Sequence, residues 1–189
     1  MSSPIGNKKN VKIFVLYLMQ NVGYPMDFIT VNEVVMQTDF VAYLDFAESF
    51  HEMLDDGLLE EATVNRDGDP CYRVTDKGVC VVETMQGDLL PSILEEALAC
   101  ALRFLDFRRR GVRVSCHTEK DPTGGFAFCC TMTEKQRTLL SVRLWVDSEA
   151  RARQMEDQFR GRPENIYRGV TALLSGNVNY LFDDRSYRG

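Results

Sequence analysis

The stretch from residue 39 to residue 78, DFVAYLDFAESFHEMLDDGLLEEATVNRDGDPCYRVTDKG, constrains the fold of this chain more than any other. Tyr43, Phe46, Ala47, Phe50 and Leu54 recur at three- and four-residue spacing, which places them on one helical face. Asp45, Glu48, Ser49, Glu52 and Asp55 fall on the opposite face. Gly57 follows the last periodic residue, where a left-handed residue stops a helix. Leu58, Leu59 and Val64 then read as strand, Asp67-Gly68 as a two-residue hairpin turn, and Cys71 to Val74 as the return strand. Thr75 is a ready N-cap for a helix beginning at Asp76.

The residues before this stretch supply two more helices. The first is expected over Lys9 to Val22, with Val11, Phe14, Val15 and Leu18 buried, and Gly23 and Pro25 end it. Thr30 and Glu33 fit a capping box, so a second helix should run from Val31 to about Thr38. Three helices, a two-stranded wing and a fourth helix make a winged helix-turn-helix over residues 1–88, closed by a break at Gly87-Asp88. Beyond it, Pro91 opens a long apolar helix to about Arg109. Val112 to Cys116, Phe126 to Met132 and Leu140 to Val146 alternate in the two-residue period of strands. Helices from Asp147 or Ser148 through Phe159, and from Pro163 through Leu174, follow. Residues 89–189 therefore read as a small antiparallel three-stranded sheet packed with helices, and the whole chain as α+β. The tail, with Tyr180, Phe182 and Tyr187, shows no period.

Composition narrows the class. Apolar and charged fractions of 44% and 26% are those of an ordinary globular protein, and 189 residues hold one large or two small domains. The longest apolar run, Ile13 to Met19, is far short of the roughly 20 residues of a membrane span, so we expect no membrane association and a cytoplasmic location. The six cysteines include no C-x-x-C pair. Cys116-His117 and Cys129-Cys130 could come together across a hairpin, but zinc-ligand spacing is lacking. We expect reduced, mostly buried thiols and no metal. No nucleophile elbow, P-loop, dinucleotide fingerprint or H-E-x-x-H occurs, and Gly124-Gly125 reads as a turn. The expectation is a non-enzymatic protein without a cofactor.

Charge is divided unevenly. Residues 1–90 hold 6 Lys/Arg against 15 Asp/Glu, whereas residues 91–189 hold 16 against 13. From Ile13 to Asn65 there is no Lys or Arg at all, and 10 acidic residues lie in that span. Groove-binding helices carry Arg, Asn or Gln and gain affinity by neutralising phosphate. The third helix carries carboxylates instead, which disfavours direct major-groove binding. Candidate duplex-DNA contacts are the remaining basic groups, Lys8, Lys9, Lys12, Arg66, Arg73 and Lys77. The alternative site is the acidic face itself, Asp45, Glu48, Glu52 and Asp55, docking a basic protein surface. The densest basic cluster, Arg108-Arg109-Arg110 with Arg113, suits a helix C-terminus.

Gly57-Leu58-Leu59-Glu60, followed by Tyr72-Arg73-Val74-Thr75-Asp76-Lys77-Gly78, resembles a stretch shared by many winged-helix transcription regulators. Lys12 to Leu18, Glu149-Ala150, Asn165-Ile166-Tyr167 and Leu173-Leu174 extend that likeness. Together they resemble a bacterial family catalogued as domain of unknown function 4364. The resemblance covers nearly the whole chain. It implies a winged helix joined to an α+β domain, and it carries over no activity and no site residue. In related regulators the second domain commonly dimerises or senses a ligand, so a homodimer through residues 89–189 is expected. The function implied is regulation, in transcription, with the acidic third helix as the departure from a DNA-binding member.

Overall fold

In the computed structural model, which describes residues 4–176, seven α-helices and two antiparallel three-stranded sheets form a mixed α+β chain. Contacts divide it into two compact units, one ending at Leu105 and the other beginning at Asp106.

In the first unit, α1 (Lys8–Val22) is capped by the Asn7 side chain and stopped by Gly23 in the left-handed region. A two-residue strand, β1 (Met26–Asp27), leads into α2 (Phe28–Val35). The expected start of α2 at Val31 is corrected by the cap. The Asp27 carboxylate accepts from the Thr30 N–H at 2.8 Å and from its hydroxyl at 3.0 Å, so Thr30 lies inside the first turn. The third helix, α3 (Tyr43–Asp55), precedes β2 (Leu59–Val64), β3 (Pro70–Val74) and α4 (Asp76–Met85). The sheet order is β1-β3-β2, with Met26 opposite Tyr72 and Leu59 opposite Val74. The β2–β3 loop is not a two-residue turn. Asn65 closes it, its side-chain oxygen accepting from the Asp67 and Asp69 N–H groups at 2.9 Å each, with Gly68 at positive φ.

The buried face of α3 is rotated from the one expected. Phe46, Ser49, Phe50 and Met53 are buried, while Tyr43 is 53% exposed. Phe28 packs its ring on Phe46 and Phe50, at centroid distances of 5.3 and 5.0 Å, and Phe50 meets Tyr72 edge-on at 5.2 Å. These rings join α2, α3 and β3. Ser49 is buried at 0% exposure, and its hydroxyl has no hydrogen-bond partner among the described residues.

One joint fixes the return from the hairpin. Gly57, at φ 66°, ends α3. Thr75 donates its N–H to the Leu58 carbonyl at 3.0 Å and its hydroxyl to the Gly57 carbonyl at 2.8 Å. The same hydroxyl accepts from the Gly78 N–H at 3.1 Å, which caps α4. Gly78 lies so close to β2 that a Cβ would overlap the Leu58 carbonyl oxygen and stand 2.6 Å from Val74 Cγ1. The recurring Gly-Leu-Leu and Thr-x-x-Gly wording is therefore the chemistry of this joint.

The fifth helix, α5 (Pro91–Arg109), gives Leu94, Ala97, Ala101, Phe104 and Leu105 to the first core. This is why the units divide within α5 and not at Gly87-Asp88, where the chain makes a short 3₁₀ turn over Gln86–Asp88. The second unit contains β4 (Val112–Lys120), β5 (Phe126–Glu134) and β6 (Arg137–Val146) in the order β4-β5-β6. It continues into α6 (Glu149–Gly161), capped by Ser148, and α7 (Pro163–Leu174), opened by Pro163. Phe128, Cys130 and Met132 of β5 form its core with Ala152 and Phe159 of α6. Cys116 and Cys130 are register partners and form a disulfide, so the expectation of reduced thiols is corrected for this pair. Their side chains share the core side of the sheet, whereas His117 and Cys129 alternate to the other side. The four groups cannot converge on one ion. The tail with Tyr180, Phe182 and Tyr187 lies outside the described residues.

Gly78→Ala should destabilise the protein by roughly 1–3 kcal/mol, the usual cost of forcing atoms into a packed site. Gly87→Ala, where a Cβ meets nothing within 4 Å, is the control. Urea unfolding measures both, and equal midpoints for the two variants would remove the close-approach account of Gly78.

Candidate partner-binding surface

Lys8 and Lys12 are one turn apart on α1, and Glu48, Glu52 and Asp56 succeed one another at the same four-residue interval along α3 and its C-cap. The two series interleave. Lys8 Nζ lies 2.8 Å from Glu48 and 3.0 Å from Glu52, and Lys12 Nζ lies 3.0 Å from both Glu52 and Asp56. Two residues proposed for DNA and two proposed for a basic protein are thus each other's partners. Lys77 joins this end through the backbone, its ammonium donating to the Asp56 carbonyl at 2.6 Å.

The other sequence-derived candidates lie apart from this ladder. Lys9 pairs with Asp88 at 2.6 Å, and Arg73 with Glu60 at 2.7 Å across β2 and β3. Arg66 is exposed in the β2–β3 loop. Asp45 stands half-buried in the first turn of α3, and Asp55 is exposed at its end. The outward stripe of α3 carries Leu44, Glu48, His51 and Asp55, and Leu44 is 70% exposed. With Glu48 and Glu52 turned toward α1, this front is less negative than composition suggests, yet no cation of its own stands on it. Tyr43, expected on the buried face because it fits the helical spacing, is exposed at the helix start beside Leu44. In the second unit, Arg110 pairs with Glu134 at 2.9 Å and stands 5.9 Å from the Phe107 ring centre.

Electrostatics follow this pairing. Glu48, then Glu52, pushes the Lys8 ammonium from its ordinary 10.5 up to about 12. Burial opposes the charge on Lys12, but hydrogen bonds to Glu52 and Asp56 outweigh it and the pKa is raised. Lys12, then Lys8, holds the Glu52 carboxyl below its ordinary 4.5.

The family model of the domain of unknown function DUF4364 matches residues 11–174. The chain belongs to this family. Among curated proteins and solved structures, nothing matches it. The family match runs through both units. No helix among the described residues is long and apolar enough to cross a membrane.

The lowered Glu52 pKa sets a pH dependence. Its contribution to stability is present above 4.5 and is lost as pH falls through the lower folded value. That of Lys8 is complete below 10.5 and is lost as pH rises through about 12. Glu52→Gln should therefore flatten the acid limb of a stability–pH curve measured by urea unfolding. A variant whose acid limb superimposes on that of the parent would show that Lys8 and Lys12 do not hold this carboxylate.

Proposed function

We propose that this protein is a non-enzymatic winged-helix regulator acting in transcription, with duplex DNA met by the wing and the N-terminal lysines. The observation that carries the reading is the arrangement of the first unit. Three helices are followed by a hairpin, and the short strand between α1 and α2 adds to that hairpin in the order β1-β3-β2. In a winged helix the hairpin is the wing, which reaches the DNA backbone while the third helix faces the groove. Here α3 lacks cations, so contact falls to Arg66 in the wing loop, with Arg73 and Lys77 behind it, and to Lys8, Lys9 and Lys12 when their carboxylate partners yield. A homodimer through the second unit would double these groups, and the exposed Leu144 and Trp145 on edge strand β6 suit such pairing.

A second reading makes α3 a docking surface for a basic protein, through Asp45, Glu48, Glu52 and Asp55. The exposed Tyr43 and Leu44 favour a protein partner at this helix. Such a partner would have to compete with Lys8 and Lys12 for two of the four carboxylates.

Anisotropy of a labelled random duplex, titrated at increasing salt, separates the two. The DNA reading expects affinity that falls with salt, and Arg66→Ala should lower the salt slope by about 1. Glu52→Gln should tighten binding by releasing Lys8 and Lys12. Absence of binding at low salt would eliminate the DNA reading and leave α3 docking.

A further inference from the structure

The second unit holds a cavity of about 340 Å³ on the helix-covered side of its sheet. Phe128, Val142 and Leu144 form its floor, and Phe159 of α6 with Ile166 and Val170 of α7 form its walls. Helix α6 lies against β4, β5 and part of β6, and α7 packs on α6. The space between them is concave, with apolar groups on three sides. Its volume lies within the roughly 300–1,000 Å³ typical of small-molecule sites.

The lining also determines the chemistry. Among the described residues no charged side chain lines the cavity, so an ionised ligand would lose its hydration there without a compensating partner. Two polar groups do line it, Gln154 and Gln158, one turn apart on α6 and both exposed. Each amide offers two donors and an acceptor with two lone pairs. Their place at the edge of an apolar space matches a ligand with a hydrophobic body and a neutral hydrogen-bonding group.

We infer that this cavity is a binding site for an uncharged, predominantly apolar small molecule, oriented by the amides of Gln154 and Gln158 and lined by β5, β6, α6 and α7. The site lies wholly within the second unit. It rests on none of the residues assigned to DNA contact or to α3 docking and shares only Leu144 with the proposed dimer edge, so its failure and the failure of the regulator reading are separately visible.

The test uses two probes of one ring system on the full chain. N-phenyl-1-naphthylamine is neutral, and 1-anilinonaphthalene-8-sulfonate adds an anionic group. The neutral probe should give saturable, blue-shifted fluorescence at one site per chain, and the sulfonate should bind about tenfold more weakly or worse. Leu144→Trp, at a position already 46% exposed, and Val170→Phe should fill the space and abolish binding while a cooperative unfolding transition is retained. Gln154→Ala with Gln158→Ala should weaken the neutral probe severalfold. Three results would each overturn the inference: no saturable binding, equal affinity for both probes, or binding indifferent to the filling variants. A change from dimer to monomer in Leu144→Trp on sedimentation, with no probe bound by the parent, would assign the groove to a second copy instead.

Discussion

Ion pairing between α1 and α3 decides what the first unit can present to a partner. Lys8 and Lys12 would each be ordinary surface cations if α1 stood alone, and Glu48, Glu52 and Asp56 would make α3 an acidic front. Packed together, they form four contacts of 2.8 to 3.0 Å in a single zigzag. Exposed pairs of this kind contribute modestly to stability, about 0–1 kcal/mol at the median. Their effect on recognition is larger, because the charges that would attract phosphate or a basic protein are partly cancelled before either arrives. Any partner of this surface must exchange one set of ion pairs for another, which favours specificity over raw affinity.

The remainder of the first unit holds that ladder in register. The Phe28, Phe46, Phe50 and Tyr72 rings fix α3 against α2 and β3. The Gly57–Thr75–Gly78 joint fixes where the hairpin leaves α3 and where α4 begins. In the second unit the division of labour differs. Its sheet carries a disulfide and apolar side chains on one side, and on the other a polar row in which His117, Cys129 and Arg143 are cross-strand neighbours. The helix-facing side is where space remains, and that space is apolar.

Much of this architecture could be read from local signals. Gly57, Thr75, Pro91, Pro163 and the alternating runs of β4 to β6 mark their elements through backbone preference alone, and the observed boundaries lie within a few residues of those expected. The discrepancies arise where the deciding partner is distant in sequence. Strand β1 is two residues long and exists only because Tyr72 and Cys71 pair with it. Asp27 and Thr30 both satisfy the N-cap preference, and only the fold chooses the aspartate. Ser49 is polar and falls on the outward face by spacing, yet it is fully buried. Cys116 and Cys130 become partners only through the register of β4 on β5. The lysine–carboxylate ladder was invisible for the same reason. Its spacing was on display in both helices, but nothing local indicates which helix faces which.

Carbon NMR titration of the lysine side chains measures directly how the α3 carboxylates hold Lys8. A Lys8 ammonium that titrates near 12 in the parent protein, and returns toward 10.5 when Glu48 and Glu52 are both changed to glutamine, is the predicted result. A parent Lys8 that already titrates at 10.5 would contradict it, and the N-terminal lysines would then be free for phosphate.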